Sequence, residues 1–375
     1  MTAQDNLRVP LYSDSVIRPT EKPKDAHSGL WIDRFFNKFT VTGGNWSVSG
    51  DDAKKDWINT VKGTVGSSAQ LDSFKARQMA LVKQLKGRSQ RYGSDWHFVT
   101  GMGNPHPVEN GLSWHPTLAV PYLTGAAVKG LIRAWVELNE QELTETAKNQ
   151  RLKSWFGTVE KDEVAEQAGD FIFFDALPDQ PPQLICDIMT PHRGDWYAKG
   201  DEADISNPKV IPADWHEPVP IPFLVVKQAQ LVFSIAPRQG KPVGELDEVF
   251  NALTEALEWL GAGAKTGTGY GYFSFDASFA EEIKAISFET LTVEQQAIEK
   301  LRQELEGKIR AKQQEAIGGR LYSTLQNLIK TAKENHWPDE DKRALESLGH
   351  RIIEFMALKG KNKRKVEELV NSLFV

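Results

Sequence analysis

The chain has 375 residues, 40% of them hydrophobic, a single cysteine and a formal net charge of −6 at pH 7. That length suits two or three domains, and the lone Cys186, expected as a small buried residue, excludes a disulfide framework and a CxxC zinc site. Mild acidity speaks against indiscriminate coating of nucleic acid, although a local basic patch can still neutralise phosphates.

Residues 1–28 are polar and dotted with proline, which predicts an extended segment without a signal-peptide core. The longest apolar runs, IPFLVV (221–226) and LVFSIA (231–236), are too short to cross a bilayer. A cytoplasmic protein with no membrane contact is expected. GLWIDRFFNKF (29–39) is the first apolar segment, and GGNWSVSGDDAKKDW (43–57) predicts a loop. Residues 69–86 carry Leu71, Phe74, Met79, Leu81, Val82 and Leu85 at helical spacing. DWHFVTG (95–101) predicts a strand. The irregular stretch 101–121 is rich in aromatic, His and Asn residues, which favours an ordered, functional loop.

PYLTGAAVKGLIRAWVEL (121–138) predicts a helix with Val128, Leu131, Ile132, Trp135 and Leu138 on one stripe and Thr124 as N-cap. Strands are expected at 170–178, 183–192 and 221–237. LDEVFNALTEALEWL (246–260) gives the clearest helical stripe, with Trp259 expected in the core beside Trp135. YGYFSF (270–275) is the last strand. The order β, α, β, β, further β, α, β predicts an α+β fold of the ferredoxin-like or RRM-like kind with long loop insertions.

After about residue 287 the composition turns rich in Glu, Gln, Lys and Leu, and predicts an α-helical C-terminal extension. The expected domains are 1–28, 29–286 and 287–375. Residues 291–375 hold 16 Lys+Arg against 13 Asp+Glu, a balance of +3 that leaves −9 on the rest. KGKNKRK (359–365) reads as a solvated basic loop or an extra phosphate contact.

GAGAKTGTGYGYF (261–273) has five glycines around Lys265. A phosphate-hydrolysing GxxxxGK[ST] loop follows a strand and opens a helix. Here Ala264 precedes Lys265, and the helix comes first. Anion binding without hydrolysis survives. Gly261, Gly263 and Gly267 allow close backbone approach, and successive N–H groups can cradle an anion. Lys265 adds charge, Thr266 and Thr268 add hydroxyls, and Tyr270 is placed to stack on a base. Alternatively the loop is a plain helix–strand connector. In the helix at 125, Lys129 and Arg133 are four apart and share a face. They lie near a helix start that favours anions, so two phosphate-seeking features are expected to converge. Gly125 and Gly130 leave room for another chain.

HPTLAVPYLTGAAVKGLIR (115–133) together with GAGAKTGTGYGYF resembles the two signature regions of the RAMP superfamily of CRISPR proteins. With GNPHPVENG, FFDALPDQPP, DIMTPH and PADWHEPVPIPF between and around them, the set is similar to the sixth subunits of type III-B (Cmr) complexes, over about 29–277. The sequence departs at Ala126-Ala127, where these proteins usually carry Ser-Ser, and at Thr124, often proline. The resemblance implies a non-catalytic backbone subunit near the 3′ end of a CRISPR guide RNA. Its implied partners are guide and target RNA, the repeated RAMP backbone subunit, the small helical subunit and the first RAMP subunit.

No cofactor or metal is expected, since the eight histidines show no HxxxH or HExxH spacing. His106 and His115 flank Trp114. A RAMP-type endoribonuclease using one of them as general acid or base is the enzymatic alternative. Otherwise His115 and Trp114 stack on or hydrogen-bond RNA, or order the loop. Glu109, Asp175, Asp187, Asp195 and Asp214 lie near the loops; Asp175 and Asp187 flank an expected turn between two strands, as turn and edge residues or, alternatively, a metal pair. Trp96, Trp114, Trp196 and Trp215 suit base stacking, a partner surface or the core.

Overall fold

The structure is a computed structural model that describes residues 21–43, 45–50, 52–139, 144–158, 167–202, 210–212, 218–241, 243–289 and 292–374. Residues 1–20, Asp214 and Trp215 lie outside that set. The chain divides into two compact units, one ending at Ala277 and one beginning at Ser278.

The first unit opens with α1 (Ser28–Arg34), the hairpin β1 (Phe39–Thr42) and β2 (Asn45–Val48), and α2 (Ala53–Asn59). The expected loop at 43–57 is therefore a strand and a helix. Gly43 and Gly50, both at positive φ, mark the turns on either side of β2. Trp57 of α2 stacks on Trp31 of α1, with ring centroids 5.3 Å apart, and donates from Nε1 to the Ile32 carbonyl. β3 (Gly63–Thr64) and α3 (Ser68–Gln84) follow. Only Leu71 and Val82 of the α3 stripe are buried, and Leu81 faces solvent.

Next come β4 (Arg88–Ser94), β5 (His97–Phe98), α4 (Gly125–Asn139), α5 (Glu145–Phe156), the short strands β6 (Gly157–Thr158) and β7 (Gln167–Ala168), β8 (Phe171–Phe173), β9 (Leu177–Pro178) and β10 (Gln183–Met189). The unit closes with α6 (Gly194–Lys199), β11 (Ile221–Lys227), β12 (Gln230–Pro237), α7 (Leu246–Trp259) and β13 (Phe273–Asp276). One sheet has the order β13-β4-β12-β8, with β9 also on β12, and a second has the order β3-β10-β11-β5. All described pairings are antiparallel. Counting β4, β8, β12 and β13 as strands 1 to 4, the first sheet reads 4-1-3-2. Helix α4 follows strand 1 and α7 follows strand 3. The two helices pack together, and Trp135 Nε1 donates to Glu255 Oε2 at 2.9 Å.

The apolar runs of β11 and β12 are buried as the sequence predicts, and α7 buries Val249, Phe250, Leu253, Ala256 and Leu257. Trp259 is a correction. It stands two positions past Leu257, about 200° around the helix, and is 70% exposed.

The second unit holds α8 (Ser278–Glu289), α9 (Val293–Arg310), α10 (Arg320–Glu334), α11 (Asp339–Phe355) and α12 (Gly360–Asn371). The compositional change at 287 falls inside α8. Thr292 and Gln295 form a capping box that starts α9. Leu301, Leu305, Leu325, Ile352 and Val366 are fully buried in this unit's own core. The basic run 359–365 is not a loop, since residues from Gly360 form the first turns of α12, with their side chains exposed.

Candidate nucleic-acid interface

The glycine loop is an ordered clasp rather than a slack connector. α7 ends at Trp259, and Gly261 turns the chain with φ +72° while donating to the Ala256 carbonyl. The loop then zips onto β5 and the residue after it. Ala264 N–H donates to the Val99 carbonyl (2.8 Å) and Gly271 N–H to the His97 carbonyl (2.8 Å). Ala262 N–H closes the loop on the Gly271 carbonyl (2.7 Å). Two positions require glycine. A Cβ on Gly263 (φ +90°) would stand 2.2 Å from the Val99 carbonyl oxygen, and one on Gly271 (φ +71°) 2.0 Å from that of Ala262. Gly267 has open space around it and an ordinary φ.

At the tip, Lys265 adopts the left-handed conformation (φ 59°, ψ 27°) and starts a single 3-10 turn, Thr266–Thr268. Such a φ is uncommon for a non-glycine residue. It turns the N–H groups of Lys265, Thr266 and Gly267 away from any acceptor among the described residues. Three consecutive unspent donors are the backbone requirement for an anion nest. The Lys265 ammonium lies 5.7 Å from the Phe223 ring centroid and 5.9 Å from that of Tyr270, and forms no ion pair among the described residues. Thr268 spends its hydroxyl proton on the Lys265 carbonyl. Thr266 packs beside Gly261.

Tyr270 is not available to stack on a base. It is 6% exposed, and its hydroxyl donates to Asp187 Oδ2 at 2.6 Å. Burial, and then the Asp187 carboxylate, push the phenol well above its ordinary value. The ring beside it is more open. Trp96 lies 4.9 Å from Tyr270, stacks on His97 at 4.6 Å with the planes 21° apart, and is 47% exposed.

The start of α4 meets the glycine loop, but not through its basic residues. A cleft of about 360 Å³ is walled by residues 261–264, by residues 100–103 and by Ala127 and Leu131 of α4. Lys129 and Arg133 are two positions further on, about 200° around the helix from Ala127 and Leu131 respectively. They line the opposite flank. The expected convergence of the pair with the loop is not observed. Arg133 is engaged with Glu137 at 2.8 Å, whereas Lys129 has no ion pair among the described residues.

The helix start is itself occupied. Thr124 caps it as expected, accepting from Ala127 N–H, and Asp175 Oδ1 accepts from Gly125 N–H at 2.7 Å. An in-chain carboxylate therefore fills the place where a phosphate was expected. Gly125 makes room for the Phe173 carbonyl of β8, not for another chain, and Gly130 faces open space.

His115 and Trp114 are corrections too. His115 is 6% exposed, and its Nδ1 accepts from the N–H groups of Thr117 and Leu118. Phe74 and Tyr122 pack edge-on against its ring, and burial lowers its pKa. The Trp114 ring lies against Gly29 of α1, where a Cβ would come within 2.4 Å of it. Both residues order the loop. His106 does the same, accepting from Val108 N–H on Nδ1 and donating from Nε2 to the Ile32 carbonyl at 2.7 Å.

Three of the loop carboxylates have separate partners. Glu109 pairs with Lys54, Asp175 caps α4, and Asp187 holds Tyr270. No group of three His, Cys, Asp or Glu among the described residues is placed to hold a metal ion. No described helix is long and apolar enough to cross a membrane. Sequence reasoning missed Asp175 and Asp187 as partners of the two signature regions. They lie 50 and 83 residues from the groups they bind, and no local pattern signals such pairings.

Residues 93–274 match the RAMP superfamily. The chain is 25% identical over 241 residues to the CRISPR system Cmr subunit Cmr6 of Pyrococcus furiosus, covering 51% of this chain and 68% of that protein. It is 26% identical over 169 residues to the CRISPR system CMR subunit Cmr6 of Saccharolobus solfataricus, covering 44% of this chain and 48% of that one. A chain of a type III-B Cmr-beta complex bound to cognate target RNA, solved by cryo-EM, superposes with a TM-score of 0.42 at 17% identity, covering 60% of this chain and 71% of that one. Residues 93–274 thus match the RAMP superfamily, and the chain is similar to Cmr6 subunits over 51% of its length.

Proposed function

We propose that the chain is a non-catalytic backbone subunit of a type III-B CRISPR ribonucleoprotein. It holds the guide RNA, toward its 3′ end, by phosphate rather than by base. The single observation that carries this reading is the tip of the glycine loop. Three consecutive free N–H groups, at 265–267, stand beside a lysine ammonium with no carboxylate partner among the described residues. Phosphate contacts position a strand without reading its sequence, which suits a guide whose spacer varies. Lys129 supplies a second, separate phosphate contact on the far flank of α4. The 4-1-3-2 sheet with its two helices supports a ferredoxin-like RAMP domain. The helical unit from Ser278 is read as an extension that docks a neighbouring subunit, and target RNA and the other Cmr subunits complete the partners. The ribonuclease alternative loses support, because His106 and His115 both commit Nδ1 to backbone donors.

Tagged purification from the native host, with sequencing of the co-purifying RNA, tests the reading. RNAs sharing a constant 5′ repeat tag and variable spacers are expected. Recovery of bulk cellular RNA alone, or of none, would contradict it.

A further inference from the structure

We infer that Trp96 is a stacking platform for one unpaired nucleobase, with that nucleotide's neighbouring phosphate held at the Lys265 tip. The inference rests on the RNA-gripping reading and adds a base contact to it. Trp96 immediately precedes β5, the strand onto which the glycine loop is zipped. His97 backs the indole in a near-parallel stack at 4.6 Å, and Tyr270 lies 4.9 Å away. The indole is thus held rigid, yet nearly half the residue faces solvent. A large aromatic fixed in this way gives up little conformational freedom on binding, which favours its use as a contact surface. Burial lowers the pKa of His97, so the backing ring is neutral at pH 7 and the stack presents an uncharged π face.

The same Tyr270 ring that touches Trp96 has the Lys265 ammonium 5.9 Å from its centroid. The two distances keep platform and cation within about 11 Å of each other, on one shared ring. Stacking on an indole accepts all four bases. It therefore fits a strand of variable sequence as well as the phosphate nest does.

The test uses the full-length chain and two fluorescent ligands at low salt. One is a single-stranded RNA 12-mer of mixed sequence, and the other a 12-mer of abasic tetrahydrofuran units with the same number of phosphates. Trp96→Leu should weaken RNA binding by roughly 5- to 150-fold, the range of one base–aromatic stack, and leave the abasic ligand unaffected. Trp96→Phe should lose less. Crosslinking of wild-type protein to a 4-thiouridine 12-mer should label Trp96 itself, which needs no folded variant. Equal weakening of both ligands by Trp96→Leu, unchanged RNA binding, or absence of Trp96 crosslinks would overturn the inference. If Lys265→Ala still weakens both ligands in that case, the phosphate-gripping reading stands alone. If neither substitution alters binding, both readings fall.

Discussion

The Tyr270 hydroxyl donates to Asp187 Oδ2 at 2.6 Å, tying the glycine loop to the middle of β10. Together with the backbone clasp onto β5, this bond fixes the five-glycine segment. Asp187 stays anchored by accepting from Ile188 N–H on its other oxygen. A hydrogen bond to a charged group is worth about 1.5–3 kcal/mol. Tyr270→Phe should lower stability by about that amount in urea unfolding, and should reduce RNA binding less than Lys265→Ala does.

The glycines separate by role. Gly263→Ala and Gly271→Ala place a Cβ on a carbonyl oxygen at a positive φ, and should each cost more than about 1 kcal/mol. Gly267→Ala meets open space and should be neutral within about 0.5 kcal/mol. Thermal unfolding of the three variants checks this, and equal costs would show that the loop is not clasped as described.

Tyr92 makes an alkaline limit. Burial is the main cause that pushes its phenol up to about 12, while its hydroxyl donates to Gln90 and bonds Thr254. Below pH 10 both folded and unfolded states hold the proton, so the contribution is complete. Between pH 10 and 12 only the unfolded state releases it, and about 2–3 kcal/mol is lost. Urea unfolding at pH 9, 10, 11 and 12 should show that decline, and Tyr92→Phe should show a shallower one.

Arg91 and Asp179 hold the centre of the first sheet. Arg91 reaches Asp179 and Asp276 at 2.8 Å each, and Lys75 adds a second cation on Asp179. All but Asp276 are close to fully buried. Asp179→Ala leaves Arg91 with Asp276 and Lys75 with Asp72, and should cost about 1–3 kcal/mol, measured by urea unfolding.

The same ion group explains what the sequence hid. RSQRYGS (88–94) shows no apolar alternation, so β4 was not expected, although it lies between β12 and β13. Its buried residues are Tyr92 and a charge-compensated Arg91, and the compensating carboxylates are 88 and 185 residues away. By contrast β11, β12 and α7 were legible, because burial there depends on apolar runs and helical stripes. The two signature regions were legible as motifs, while their mutual geometry was not. Spacing places Lys129 near a helix start. It does not say which flank of α4 meets the glycine loop, because that depends on how α7 packs through Trp135 and Glu255. Tyr270 and His115 looked like free aromatic and polar groups, and only their distant partners show them to be buried.

The central claim is that the Lys265 tip grips phosphate, and the most direct test is the salt dependence of single-stranded RNA binding. Wild type, Lys265→Ala and Lys129→Ala would be titrated with one RNA 12-mer from 50 to about 300 mM salt. Losing one phosphate contact should weaken binding and lower the slope of log K against log salt by about 0.7. Lys265→Ala should do so for every sequence tried. Lys129→Ala should act independently of it, so that the double variant shows the sum. If Lys265→Ala binds as tightly as wild type with the same slope, the glycine loop is a connector and the account fails.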